Sequence, residues 1–348
     1  MNNGFKVSVR CATYNQAAYI EDAMNGFCIQ HTAFPFVCFI MDDASTDGEQ
    51  EVIQNYLESH FDLDDNNFSK TEETDDYKLI FARHKENKNC YFAVFYLKYN
   101  HYVRLESRKK MRYYSKWESN VSFVAFCEGD DYWISPQKLQ RQVEMLEMNP
   151  QFTMVYTGFN TVDEQGKDIF REYYENFQKE SKTGWNFSKL LNHNYILTNT
   201  ICLRSDVLSS PLLQMSPAQM DYSVFLAAAA NGEFFFIKER MSCYRKVGTG
   251  MMATKNNLVQ TRLREIHNYY AKVYMNRQLV SFPFSERIRI DISLLLFYTA
   301  LFISGKDKKG LVSFFKKKPC TIFLYPFAIV WGSVKKVTNP NWHILVGK

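Results

Sequence analysis

Phe36-Val37-Cys38-Phe39-Ile40-Met41 runs straight into Asp42-Asp43-Ala44-Ser45-Thr46-Asp47-Gly48. Six apolar residues in a row do not alternate with polar ones, so the strand they form is expected to be buried on both faces of a sheet. The polar cluster marks that strand's carboxyl end, and a helix follows from about Gly48 to His60. Towards the N-terminus, Val7-Ser8-Val9-Arg10-Cys11 reads as an earlier strand. The helix after it, from about Gln16 to Gln30, puts Ile20, Met24, Phe27 and Cys28 on one face. Towards the C-terminus, Leu79-Ile80-Phe81-Ala82 is a third strand, residues 89–102 make a third helix rich in Phe and Tyr, and Val121 to Cys127 is a fourth strand. Pro136 then opens a helix that reaches Met148, proline being well suited to a first helical turn. This β-α-β-α order predicts an α/β fold: a mostly parallel sheet with helices on both faces.

Two insertions interrupt the pattern. Residues 62–78 carry seven acids and two bases and are expected to be a solvated loop. Residues 104–116 carry six bases and one acid, which fits an extended helix, an acidic partner or a solvated face. In the second half, Thr153–Tyr156 and Tyr195–Leu203 look like strands, Met220–Asn231 looks like a helix ended by Gly232, and Phe234–Ile237 is a short strand. From about residue 255 the pattern is helical, with lysine-rich breaks at 306–309 and 316–318.

Composition narrows the classes. The chain has 348 residues, 46% hydrophobic and 16% aromatic, which excludes disordered and low-complexity architectures. A net charge of +5 over this length is mild and gives no reason to expect a nucleic-acid partner. None of the eight cysteines forms a C-x-x-C pair, and most sit in apolar runs, where they read as small buried hydrophobes. The N-terminal residues hold no apolar leader, so the expected compartment is a reducing cytoplasm. The best apolar stretches, 292–305 and 319–334, are short of the roughly 17–25 residues that a spanning helix needs.

In an open α/β sheet, ligands bind beyond the carboxyl ends of the strands. Here those ends carry Ala12-Thr13-Tyr14-Asn15, then Asp42 to Gly48, then Glu128-Gly129-Asp130-Asp131-Tyr132-Trp133. The Asp42–Gly48 cluster is also what a turn and helix cap would use. The third cluster is harder to explain as a turn. Three acids in four residues repel one another unless a cation is present, and a divalent metal holding a phosphate is the natural partner. The phosphate loop, the dinucleotide fingerprint, the nucleophile elbow and the zinc-protease motif are all missing from the sequence. The seven histidines form no close ligand pair and read as packing or surface residues.

Taken together, these motifs resemble the family-2 glycosyltransferases of the GT-A fold, which are inverting and use nucleotide sugars. The resemblance rests on Val7-Ser8-Val9 leading to Thr13-Tyr14-Asn15, on Ile40 to Gly48, on Glu128 to Trp133 with Pro136-Gln137-Lys138-Leu139, and on Met220-Asp221 with Tyr244-Arg245. It covers about residues 5–250 and is nearest to bacterial enzymes that build surface polysaccharides. It implies a GT-A, Rossmann-like catalytic domain over 1–250, with a nucleotide-binding half (1–135) and an acceptor half (136–250). Residues 251–348 would then be an α-helical C-terminal extension.

The resemblance also implies residue roles. Thr13, Tyr14 and Asn15 line the nucleotide pocket, with Tyr14 stacking on the base. Asp43 accepts a hydrogen bond from the base, Asp130 reaches the ribose or donor sugar, and Asp131 binds Mn²⁺ or Mg²⁺ at the diphosphate. Asp221 is the base that deprotonates the acceptor hydroxyl. Arg245 is either a diphosphate contact or a surface ion pair. The implied donor is UDP-linked, and the acceptor is a saccharide, free or lipid-linked. Two other readings stand beside it: a nucleotidyltransferase of related fold, and a non-catalytic protein that binds nucleotide or sugar. The chain departs from the family at Glu128, where Asp is commoner, at Met220, where many members carry an acid, and at Lys246-Val247-Gly248, where relatives often place a His.

The C-terminal region alternates apolar runs (Ile292–Ile303, Leu311–Phe315, Ile322–Trp331) with lysines. Short apolar helices flanked by lysines suit an anionic bilayer surface, and they suit equally a helical cap on the catalytic domain. The first alternative would place the chain peripherally on the inner face of the cytoplasmic membrane.

Overall fold

The computed structural model describes residues 4–104, 107–118, 120–218, 220–248, 257–276, 282–303, 307 and 309–326. Lys306, Lys308 and everything after Pro326, including the end of the 319–334 stretch, lie outside the described residues. The chain divides into two compact units. One comprises Met1–Ser181, Ile196–Asp206 and Phe235–Gly248; the other comprises Lys182–Tyr195, Val207–Phe234 and Thr249–Lys348.

The first unit is built on a sheet. Its elements are β1 (Val7–Thr13), α1 (Ile20–Cys28), β2 (Phe36–Asp42), α2 (Glu49–His60), β3 (Lys70–Glu73), β4 (Tyr77–Arg83), β5 (Cys90–Leu97), α3 (Ser107–Glu118), β6 (Phe123–Phe126), β7 (Tyr132–Trp133), α4 (Lys138–Met148), β8 (Phe152–Val162), α5 (Glu172–Glu180), β9 (Ile201–Arg204) and most of β10 (Glu233–Arg245). Among the described residues the strand order is β3-β4-β5-β2-β1-β6-β9-β8-β10-β7. The centre is parallel: β1 lies between β2 and β6, and β2 pairs with β5. Both wings turn antiparallel, through β4 on one side and β9 on the other.

Two expectations are corrected. The helix expected over residues 89–102 is strand β5, with all eight of its residues buried. The free edge of β2 needs hydrogen-bond partners for its buried backbone, and Cys90–Leu97 supplies them in register from Phe36↔Cys90 to Asp42↔Tyr96. The acidic 62–78 segment is not all loop: Lys70–Glu73 forms edge strand β3 on β4. A short, charged strand at a sheet edge resists pairing with other chains. Smaller shifts occur as well. The strand expected over Tyr195–Leu203 is confined to β9, after a single 3₁₀ turn at Thr198–Thr200, and β10 runs well past Ile237.

Side-chain alternation along the strands explains the layers. Val7, Val9 and Cys11 of β1, Cys38 and Ile40 of β2, and Phe92 and Val94 of β5 share a core with Met24 and Phe27 of α1, Ile53 of α2, and Leu139 and Val143 of α4. On the opposite face, Phe39 meets Tyr114 and Trp117 of α3 edge to face, at 5.8 and 6.2 Å. Helix α1 packs so closely on β7 that a Cβ on Gly26 would lie 2.7 Å from the Trp133 backbone nitrogen.

The second unit carries α6 (Phe187–Leu190), most of α7 (Asp206–Ser209), α8 (Pro211–Gln214), α9 (Asp221–Asn231), α10 (Asn257–Met275), α11 (Phe284–Ile303) and α12 (Gly310–Lys317). Helix α9 ends at Gly232, as expected. Helix α11 is a core element of this unit, with Ile290, Leu294, Leu295 and Phe297 buried. Buried Glu286 accepts from the Ser188 N–H at 2.9 Å, and the Asn192 amide reaches Ser293 at 3.2 Å. No helix among the described residues is long and apolar enough to cross a membrane. All eight cysteines are free thiols, six of them buried.

Candidate functional site

Because β1 lies between β2 and β6, the loops leaving these three strands meet at one sheet edge. The Asp43 N–H donates to the Thr13 carbonyl at 3.0 Å, and the Gly129 N–H to the Ala12 carbonyl at 3.2 Å. Asn15 sits at φ +53° and Ala44 at φ +62°, the two non-glycine residues with positive φ among the described residues. Such backbone strain is tolerated where surrounding contacts over-determine it, and here they do. Asn15 Oδ1 accepts from the Thr46 N–H at 2.8 Å, and the Asn15 N–H donates to Ser45 Oγ at 2.9 Å. Beneath them Glu49 is fully buried. It accepts from the Gln16 N–H at 2.9 Å, from Ser45 Oγ at 2.7 Å and from the Thr13 hydroxyl. Burial pushes its carboxyl above the usual range. Tyr14 presents its ring to solvent at 45% exposure. A Cβ on Gly129 would fall 2.4 Å from Thr13 Oγ1, so only glycine lets the acidic loop lie on the β1 loop.

Asp43 is buried and already engaged. Its Oδ1 accepts from the His101 N–H at 2.8 Å, and its Oδ2 from the Tyr102 N–H at 3.2 Å and from Lys110 Nζ at 2.5 Å. Lys110 comes from α3, so the basic insertion contributes directly to this edge.

The acidic loop is fixed from the other side by β10. The Arg245 N–H donates to Asp131 Oδ1 at 2.8 Å and its Nε to the Asp130 carbonyl at 3.0 Å. Its Nη1 donates to the Glu164 carbonyl at 2.9 Å and its Nη2 to Asp22 Oδ2 at 2.5 Å. Arg245 is buried, its ion-pair partner Asp22 is 53% exposed, and its guanidinium also lies over the rings of Tyr19 and Tyr132. Trp133 of β7 is sealed in. Its indole N–H donates to the Asn199 carbonyl at 2.9 Å, and its ring meets Phe27 at 5.0 Å. Burial, then the neighbouring Asp130 and Glu128 charges, hold the Asp131 carboxyl well above its ordinary range; burial raises Asp130 too. A cation at this point would relieve both effects. Among the described residues no three His, Cys, Asp or Glu side chains are grouped so as to hold a metal ion. A hard cation at Asp131 would thus need oxygens from a bound ligand to complete its shell.

Asp221 belongs to the second unit, as the first residue of α9. The Tyr222 N–H donates to its Oδ1 at 2.7 Å and the Asn194 amide reaches its Oδ2 at 3.4 Å. Burial raises its carboxyl despite both bonds. The first unit thus brings together Thr13, Tyr14, Asn15, Asp43, Asp130, Asp131 and Arg245; Asp221 stands on the other.

Sequence reasoning missed Glu49 and Lys110. Glu49 looks like an ordinary acid in a first helical turn, and its spacing from Gln16 carries no signal. Lys110 is one base among six, and only the fold brings it to Asp43.

No family model matches the chain. Its curated relatives include the uncharacterized protein Mb1547 of Mycobacterium bovis and the uncharacterized protein Rv1520 of Mycobacterium tuberculosis. Each is 27% identical over 248 residues, which is 70% of this chain. The chain spans about 60% of the length of these relatives. Among solved structures it is similar to S. aureus TarS 1-349 in complex with UDP, with a TM-score of 0.51 and 16% identity over 98% of this chain and 90% of that one. It is also similar to the mannosyltransferase PcManGT from Pyrobaculum calidifontis in complex with GDP-Man and Mn²⁺, with a TM-score of 0.50 and 11% identity over 98% and 84%. The chain thus shares the α/β fold of these proteins, a large central sheet flanked by helices with a helical C-terminal region.

Proposed function

We propose that the chain is an inverting, metal-assisted glycosyltransferase of family 2. In this proposal it moves a sugar from a UDP-linked donor to a carbohydrate or lipid-linked saccharide acceptor, in the synthesis of a bacterial surface polysaccharide. The observation that carries the proposal is the sheet edge at β2, β1 and β6, where the Thr13–Asn15 loop, Asp43 and the Asp130-Asp131 pair are stitched together. The bound UDP, and the bound GDP-Man with Mn²⁺, in two structures of this fold support a nucleotide sugar as the ligand of that edge.

Each residue then has a task. Tyr14, exposed, stacks on the base, while Thr13 and Asn15 shape the pocket wall. Asp43 has one acceptor position left for a ring N–H of the base, since its carboxylate offers about four and three are taken. Asp130 faces the ribose or the sugar. Asp131 holds Mn²⁺ or Mg²⁺, which when bound supplies Lewis-acid neutralisation of the departing diphosphate. Arg245 acts as a positioning residue, because its donors reach Asp131 and the Asp130 backbone. Asp221 takes the acceptor hydroxyl's proton, and the burial that raises its carboxyl makes it a stronger base. Attack opposite the leaving group inverts the anomeric centre and leaves no sugar on the protein.

The same proposal places the chain against the inner face of the cytoplasmic membrane. Exposed Ile303 of α11, Val312 of α12, and Ile322 and Phe323 of the 3₁₀ segment Pro319–Leu324, with exposed Lys316 and Lys317 of α12, support attachment to an anionic lipid surface.

A calorimetric panel of nucleotide sugars with and without Mn²⁺ tests the donor site. One donor should bind in a Mn²⁺-dependent way, and Asp131→Ala should weaken it at least tenfold with Mn²⁺ present. Release of pyrophosphate instead of a nucleoside diphosphate would indicate a nucleotidyltransferase. Binding without any release would indicate a non-catalytic protein.

A further inference from the structure

We propose that Lys110 and Asp43 together read the base of the donor, and that they admit only bases presenting a carbonyl beside a ring N–H. The inference rests on the donor-site reading above; what it adds is a specificity role for the basic insertion. Lys110 arrives from α3, sixty-seven residues beyond Asp43 in sequence, and its ammonium sits 2.5 Å from Asp43 Oδ2. Among the described residues Asp43 is its one hydrogen-bond partner. An ammonium has three N–H donors, and this side chain is 16% exposed, so it is neither sealed in nor fully solvated. The loop before α3 fixes the pair: the His101 and Tyr102 N–H groups hold Asp43, and the neighbouring Lys109 is drawn off to the Tyr99 hydroxyl at 3.2 Å.

By count, Asp43 keeps one acceptor position unspent, on a side chain that is 4% exposed, beside the donors of Lys110. Uracil (N3–H beside O4) and guanine (N1–H beside O6) match that pattern. Cytosine and adenine present a bare ring nitrogen beside an amino group, which sets acceptor against acceptor and donor against donor. A site built to hydrogen-bond one edge rejects the mismatched edge strongly, because its own largely buried groups are left unpaired.

Affinities of UDP, GDP, CDP and ADP are measured by calorimetry with Mn²⁺ for the wild type, Lys110→Met and Lys110→Arg, with thermal unfolding of each. The wild type should bind UDP and GDP at least tenfold more tightly than CDP and ADP. Lys110→Met should lose about tenfold for UDP and GDP and little for the other two, so that the preference collapses. Lys110→Arg should keep it. A Lys110→Met variant that retains the wild-type preference, or weakens all four alike, shows that Lys110 only anchors α3 and overturns the inference. Equal binding of all four by the wild type overturns it while sparing the donor site, and no binding of any overturns both.

Discussion

Lys138 is fully buried in the first unit, its ammonium 2.9 Å from the neutral Gln142 amide oxygen and 4.2 Å above the Trp133 ring. Burial lowers its pKa from 10.5 to about 8. Between those two values the unfolded chain binds more protons than the folded one, so stability should rise with pH across about 8 to 10.5. Below pH 8 the cost of a buried charge is fully present. Lys138→Met should therefore stabilise the protein at pH 7, by about 1–3 kcal/mol, and flatten the rise. Urea unfolding at pH 7 and 9.5 measures both, and a Met variant less stable at pH 7 would contradict the argument. At this scale the sequence was legible where chemistry is local. Thr13 closes β1, and Asp43, Asp130 and Asp131 follow β2 and β6, at the strand ends that the sequence marks. Their partners were not legible: Lys110 for Asp43, Glu49 for Thr13 and Arg245 for Asp131 are contacts that only the sheet's closure creates.

Helix α3 settles a segment that the sequence leaves open. The six bases of residues 104–116 fit an extended helix, an acidic partner or a solvated face, yet the side chain of the helix's last residue, Glu118, is only 8% exposed. There it takes Arg10 Nε at 3.0 Å and the Ser8 hydroxyl at 2.7 Å, and Arg10 lies 4.5 Å from the Tyr114 ring centre. The alternation Val7-Ser8-Val9-Arg10 already put Ser8 and Arg10 on one face; the helix that covers that face was not foreseeable. Removing one partner of a buried pair leaves the other charge uncompensated, so Glu118→Ala should cost about 3–5 kcal/mol. The double variant Arg10→Met, Glu118→Leu should recover most of that. Denaturant unfolding of the wild type and the two variants decides it, and a double variant no more stable than Glu118→Ala would refute the pairing. Strand β5 failed for a different reason. An eight-residue aromatic run fits a buried helix as well as a buried strand, and periodicity cannot separate the two. What separates them is the unpaired edge of β2.

At the scale of the whole molecule, each unit carries part of the proposed chemistry: the first the donor loops, the second Asp221 and the exposed apolar residues near its described end. Attachment to a lipid surface should depend on those residues and not on the core face of α11. The variant Ile322→Ser, Phe323→Ser should co-sediment with phosphatidylserine vesicles several-fold less than the wild type, with neutral vesicles as the baseline. Equal partition would remove the membrane from the account. The catalytic claim is tested most directly at Asp221. With a bound UDP-sugar, Mn²⁺ and an acceptor, the full chain should release UDP. Asp221→Asn should lower that turnover at least about a hundredfold, within the range for loss of a general base, while donor affinity stays within about twofold. An Asn variant that turns over like the wild type would contradict the proposed function.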